Sequence, residues 1–294
     1  VETLRALLLE AVNAMIDRSL AHTGCEKKDI EKITVVGNTT MQHLFAGLHP
    51  GRLGTMPYMP ESCEARNYRA EELSLSVNPN CPVYVFPVIS GFVGGDTVGV
   101  MLSETQYRKD EVSLLLDIGT NGEIVLGNKE SIWVTSCATG PALEGAHIKC
   151  GMRASSGAIE KITINPVSCS VEYKVIGNDP AMHPKGLCGS AIIDAVAEML
   201  RAGLIIPSGR LCEGLPGVHV DERGVGREFV IVPGHDGQEL NPVVLTLTDI
   251  RQVQLAKSAL LTGIKLLMKH SGIDSVDRVV LTGAFGARFN WRNA

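Results

Sequence analysis

Asp117-Ile118-Gly119-Thr120-Asn121-Gly122-Glu123 follows directly on the apolar run 114–116. That order places a carboxylate at the end of a strand and two glycines in the turn beyond it. Gly119 and Gly122 let a ligand approach the backbone, the N–H groups of the turn can receive phosphate oxygens, and Asp117 can orient hydrated Mg2+ or a water. The same residues also suit an ordinary Asn-Gly hairpin with a satisfied aspartate. Gly94-Gly95-Asp96 follows another strand-like run, and Asp96 there is either a catalytic or metal-positioning carboxylate or a helix N-cap. Gly37-Asn38-Thr39-Thr40 presents the same choice, since Asn38 and Thr39 either contact a ligand or cap the helix that follows. Gly283 and Gly286, in Leu-Thr-Gly-Ala-Phe-Gly, let the backbone pack against a flat base or a ribose, or form a routine strand-to-helix turn.

Other chemistries lack their residues. There is no GxxxxGK[ST] loop, no GxGxxG after a first strand and no HExxH pair. The eight cysteines include no CxxC pair and no compact cluster of four, so spacing gives neither a zinc nor an iron–sulfur site. His147, near Glu144, reads as a surface or packed histidine. Cys137 and Cys188 lie in small-residue loops with no visible thiolate-stabilising partner, which argues against a cysteine nucleophile.

These groups need strands and helices to position them. Residues 1–24 read as an amphipathic helix ending near Gly24, with Leu4, Leu8, Val12 and Ile16 sharing a face. A short strand, the Gly-Asn-Thr-Thr turn and a helix come next. The pattern returns with a strand over 83–86, a glycine turn and a helix over 97–102. Residues 112–128 predict a β-hairpin whose turn carries the polar groups. A short helix is expected over 141–148, two strands over 159–176 and a helix over 189–200. The stretch 205–243 predicts an irregular insertion with short strands. A long helix over 248–270, with Asp249 in its first turn, precedes a buried strand running into a glycine loop over 276–286.

At 294 residues, 45% hydrophobic and 20% charged, the chain can bury a substantial core and is not globally disordered. A net charge of −5 and 4% aromatic residues disfavour a broad nucleic-acid surface or a chain of base-stacking platforms. No apolar run reaches the ~18 residues that a membrane helix needs. Free thiols in a reducing cytoplasm are the simplest use of the cysteines. The sequence opens within a helix and stops shortly after its last glycine loop, which leads us to expect a chain trimmed at both ends.

DIGTNGE at 117–123 resembles the second phosphate motif of the actin, sugar-kinase and Hsp70 superfamily, and VLTGAFG at 280–286 resembles its adenosine motif. VVGNTTM at 35–41, GGDTVG at 94–99, LLLDIGTNGE, ATGPALEGAHI at 138–148, GMRA at 151–154 and GLCGS at 186–190 together resemble the ATPase domain of the reductive activators of corrinoid proteins. The resemblance extends over essentially the whole chain, with the motifs in family order. It implies an α/β, two-lobed actin-like ATPase fold with mixed sheets. Residues 1–110 would be the remainder of the first lobe, lacking its phosphate hairpin, and 111–294 the second lobe.

The resemblance also implies a function. Such activators use ATP and Mg2+ to help an uphill electron transfer that restores cob(II)alamin to cob(I)alamin in a methyl-transferring corrinoid protein, in anaerobic one-carbon metabolism. Their [2Fe-2S] cluster belongs to an N-terminal domain, through which an upstream electron donor acts; this sequence carries no ligand set for it. Carried over, Asp117 orients the Mg2+ water shell, Gly119, Thr120, Asn121 and Gly122 hold phosphates, and Gly283, Ala284 and Phe285 border adenosine. Asp96 is a weaker candidate for water orientation or Mg2+ coordination, and Asn38 and Thr39 for ligand contact. ATGPALEG and GLCGS shape the nucleotide or lobe interface. Nucleic acid and membrane are not expected partners, and a homodimer is compatible with the sequence. The alternatives are a small-molecule kinase of the same superfamily, with Asp96 as base, and a noncatalytic nucleotide-sensing module.

Overall fold

The computed structural model describes residues 1–177, 183–221, 224, 226–234, 241–286 and 290–293. The chain divides into two compact units: Val1–Ser113 with Gly127–Val134, and Leu114–Leu126 with Thr135–Ala294. No helix among the described residues is long and apolar enough to cross a membrane.

The first unit contains α1 (Glu2–Thr23), β1 (Ile33–Val35), α2 (Thr39–Ala46), β2 (Arg66–Arg69), β3 (Pro82–Val85) and α3 (Gly95–Glu104). Its sheet has the order β1-β3-β2, with β1 parallel and β2 antiparallel to β3. Helix α1 stops at Gly24, whose N–H returns to the Leu20 carbonyl. Its core-facing line is rotated from the expected stripe. Leu9 is buried, Leu8 and Val12 pack with it against Phe45, Leu73 and Val83, and Leu4 is 57% exposed. The four-residue spacing places Leu4 and Leu8 on one face, but Leu9 takes the inward position and Leu4 is left to solvent.

The second unit holds nearly all of β4 (Ser113–Ile118) and β5 (Gly122–Gly127) and the second half of β6 (Ile132–Cys137), followed by β7 (Ala158–Ile164), β8 (Val171–Val175), β9 (Gly186–Leu187) and α4 (Gly189–Arg201). It continues with β10 (Val218–Val220), β11 (Arg227–Val232), β12 (Val243–Thr246), α5 (Leu247–Ser271), β13 (Arg278–Thr282) and one helical turn, Gly283–Gly286. The sheet orders are β13-β4-β5-β6, β8-β7-β9 and β10-β11-β12. Strand β7 runs antiparallel to β8 and parallel to β9, while β10, β11 and β12 form an antiparallel meander. The core gathers Ile159, Ile162, Leu187, Ile192, Phe229 and Leu245 with Ile250 and Val253 of α5. Helix α5 starts with a capping box, in which Thr246 and Asp249 exchange side chain and backbone, and the second Asp249 oxygen accepts the Lys149 N–H at 2.9 Å.

One expectation is met in part and one changes. The short strands expected over 205–243 are present as β10 and β11, and β11 pairs on its other side with β12, so they belong to a three-stranded sheet instead of an irregular insertion; residues 222, 223, 225 and 235–240 lie outside the described residues. Strand β13, expected to be buried, is not: Val279 is 54% exposed and the other four residues are half-buried. Among the described residues β13 is the terminal strand of its sheet, with β4 as its neighbour.

Candidate functional site

In the first unit the two glycine-containing turns pack together. A Cβ added to Gly94 would lie 2.4 Å from the Gly37 carbonyl oxygen and 2.6 Å from the Asn38 Cα. The Asp96 N–H donates to the Gly37 carbonyl at 3.2 Å. Buried Gln42 joins both segments, its Oε1 accepting from the Gly95 N–H at 2.7 Å and its Nε2 donating to the Phe86 carbonyl at 2.8 Å. The side chains of the candidates are engaged locally. Asn38 is the N-cap of α2, its Oδ1 accepting from the Met41 N–H at 2.9 Å. Thr39 is buried and donates to the Ser90 carbonyl at 2.7 Å. Gly94, not Asp96, occupies the N-cap of α3, and half-buried Asp96 accepts from the Thr97 N–H at 2.9 Å.

The second unit contains the hairpin. Strands β4 and β5 are joined by residues 119–121, a connection short enough only for antiparallel neighbours. The buried hydroxyl of Thr139 reaches the carbonyl oxygens of both Gly119 and Thr120 at 2.9 Å. Carbonyl and N–H point to opposite sides of a trans peptide, so this anchor turns the N–H groups of Thr120 and Asn121 away from Thr139. Both residues are exposed there. The Gly119 N–H closes the turn on the Asn121 carbonyl at 3.0 Å. Below the turn, Leu260 of α5 fills the space over Gly122, where a Cβ would meet its Cδ2 at 2.4 Å.

Half-buried Asp117 lies against the start of the helical turn after β13. A Cβ on Gly283 would sit 2.3 Å from Asp117 Oδ1, and Gly283 has φ 83°, in the region glycine tolerates. The hairpin and the second glycine motif, more than 160 positions apart in sequence, are therefore in contact through Asp117 and Gly283. The side chains of Ala284 and Phe285 lie outside the described residues; their backbone belongs to the Gly283–Gly286 turn.

Two residues of the site were not singled out as contacts by sequence reasoning. Thr139 acts across 20 and 19 positions, and Glu144 Oε1 accepts from the Thr120 hydroxyl at 2.5 Å across 24. Both stand in ATGPALEG, so the available signal was the motif and not any spacing to the hairpin. Cys137 is no nucleophile in waiting, because burial, with Glu123 adding to it, pushes its thiol up despite a hydrogen bond with the Gly263 backbone. All eight cysteines are free, and among the described residues no three His, Cys, Asp or Glu side chains group as metal ligands. Asp117 is the carboxylate at this turn that could hold a Mg2+ ion through water, alongside phosphate oxygens.

A mixed α/β chain whose glycine-turn hairpin meets a second glycine motif is the arrangement of the ASKHA domains, the actin and Hsp70 class. Residues 111–294 match the family model described as the C-terminal domain of RACo, the ASKHA domain, and residues 1–109 match the RACo middle region; the chain belongs to the RACo family. It is 37% identical to the corrinoid activation enzyme RamQ of Eubacterium limosum over 98% of this chain and 49% of that protein. It is 27% identical to a [Co(II) methylated amine-specific corrinoid protein] reductase of Methanosarcina barkeri over 74% of this chain and 46% of the relative. A solved reductive activator for a corrinoid, iron-sulfur protein superposes over the whole chain and 46% of its own length, with TM-score 0.86 and 36% identity. The chain spans about half the length of the curated relatives it matches.

Proposed function

We propose that this chain is the nucleotide-handling part of an ATP-dependent reductive activator, which returns a corrinoid protein from cob(II)alamin to cob(I)alamin by one-electron reduction. The observation that carries the nucleotide part is the hairpin turn: Thr139 holds its carbonyls on one side, Asp117 stands at its base, and Asp117 Oδ1 touches Gly283. Exposed Thr120 and Asn121, with N–H groups turned away from Thr139, and the Asp117 carboxylate suit a backbone cradle for the phosphates of Mg-ATP. The names of the relatives support the corrinoid part.

Bound Mg-ATP would supply the free energy that makes an unfavourable electron transfer proceed. The backbone of Gly119, Thr120, Asn121 and Gly122 would hold phosphates, Asp117 would orient the Mg2+ waters, and Gly283, Ala284 and Phe285 would border adenosine. Asp96 is the proposed water-orienting or Mg2+-coordinating group of the first unit, with Asn38 and Thr39 shaping the turn packed against it. Residues 1–110 and 111–294 would act as two lobes. Nucleotide can shift their equilibrium only as far as it binds one arrangement more tightly than another. The electron would come from an upstream donor through a [2Fe-2S] domain outside this sequence, in the cytoplasm.

Calorimetric titration of Mg-ATP into the chain and into its Asp117→Asn and Gly283→Ala variants tests the nucleotide part. Saturable binding, weakened at least roughly tenfold in both variants, is expected. Equal binding by all three, or none by any, would overturn it. The corrinoid part is tested by following the Co(II) absorbance of a corrinoid protein in the presence of a low-potential donor and the full-length activator, with and without Mg-ATP; loss of the Co(II) signal should require nucleotide.

A further inference from the structure

Glu144 stands where an anion would be unwelcome to a phosphate. It ends the short 3-10 turn Pro141–Glu144, which is fixed at its base: Ala142 and Leu143 are buried, the Gly145 N–H returns to the Ala142 carbonyl at 3.0 Å, and the Ala146 N–H returns to Pro141 at 3.2 Å. The Glu144 residue itself is exposed, so a firm backbone carries an arm that can swing. That arm lies over the hairpin. Its Oε1 takes the Thr120 hydroxyl at 2.5 Å and would be 3.8 Å from a Cβ on Gly119. Thr120 is one of the two residues whose N–H groups the Thr139 anchor turns outward.

We propose that Glu144 is an internal stand-in for nucleotide phosphate: its carboxylate holds the Thr120 hydroxyl in the nucleotide-free chain, and a phosphate oxygen must displace it to bind. This rests on the hairpin being the phosphate site proposed above. A carboxylate and a phosphate oxygen are both anionic acceptors, and the single Thr120 proton can serve only one of them in full. With Asp117 nearby, a phosphate entering beside an undisplaced Glu144 would be a third negative group in the turn. Swinging Glu144 away removes one of them. The cost of that displacement is a built-in reduction of nucleotide affinity, set by one side chain.

The test is a double-mutant cycle read by calorimetry, titrating Mg-ATP into the chain, Glu144→Gln, Thr120→Val and the double variant. Gln keeps the shape and loses the charge, so its hold on Thr120 is weaker, and both positions are exposed, where such changes leave the fold intact. Glu144→Gln should tighten Mg-ATP roughly three- to tenfold in the chain, and this gain should disappear in the Thr120→Val background. Equal affinity with and without the substitution would overturn the proposal while leaving the phosphate site standing. A gain of the same size in both backgrounds would also overturn it, because through-space repulsion alone would then account for the effect. No nucleotide binding by any of the four would overturn the phosphate site and this proposal with it.

Discussion

The two glycine-and-aspartate turns, one at Gly94–Asp96 in the first unit and one at Asp117–Gly122 in the second, are alike in composition and differ in how they are held. Both are held by a distant segment, but through different backbone groups. At the first, the N–H groups are taken: the Gly95 N–H donates to Gln42 and the Asp96 N–H to the Gly37 carbonyl, while Asn38 caps a helix and Thr39 bonds to the Ser90 carbonyl. At the second, the carbonyls are taken. Thr139 fastens the carbonyls from beneath, and the residues at the tip, Thr120 and Asn121, are exposed. A turn held by its N–H groups has already spent them. One held by its carbonyls can present its N–H groups to a ligand.

Substitution can sharpen or break that contrast. The largest effect is expected at Gly94→Ala, because its Cβ would meet backbone, the Gly37 oxygen at 2.4 Å and the Asn38 Cα at 2.6 Å, and neither can swing aside. A loss of roughly 2–3 kcal/mol in a urea titration is expected. Gly122→Ala should cost less, since the nearest atom is a terminal methyl of Leu260; an equal cost would dissolve the distinction. Thr139→Val comes next. It deprives the Gly119 and Thr120 carbonyls of their donor, for about 1–2 kcal/mol, and Mg-ATP affinity measured by calorimetry should fall with it. Affinity unchanged in a destabilised variant would mean that Thr139 supports the fold and not the cradle. The smallest effect is expected at Asn38→Ala, about 1 kcal/mol by thermal denaturation, with Asn38→Asp restoring most of it through the same cap.

Much of this architecture is legible locally. Gly24 ends α1, the Asn38 cap opens α2, and the Thr246 and Asp249 box opens α5, because caps are contacts of a few residues and leave their mark in the sequence. The hairpin is legible for the same reason. The meander over β10, β11 and β12 is legible only as short strands: β10 has three residues and its Val220 is 61% exposed, too little apolar alternation to show which strands pair. Strand β13 misleads in the opposite direction, since Val-Val-Leu states composition and not which neighbour covers it. Within the site, the motifs point to the turn, while the anchor at Thr139 and the arm at Glu144 become visible only when β6 and its following turn are brought beside the hairpin.

Helix α5 meets the hairpin strands at two points three residues apart, each with a glycine on one side. Leu260 rests on Gly122 of β5, and Gly263 receives Cys137 of β6, where a Cβ would lie 2.2 Å from the sulfur, with Ile124 beside it. With a side chain missing on one partner at each point, there is little soft material between helix and strands to absorb a displacement. Close-packed interfaces of this kind transmit strain instead of damping it. In mechanical terms α5 is a stiff pushrod: a shift of the helix by a fraction of its own radius is passed to Gly122, and from there to the turn that carries Thr120 and Asn121.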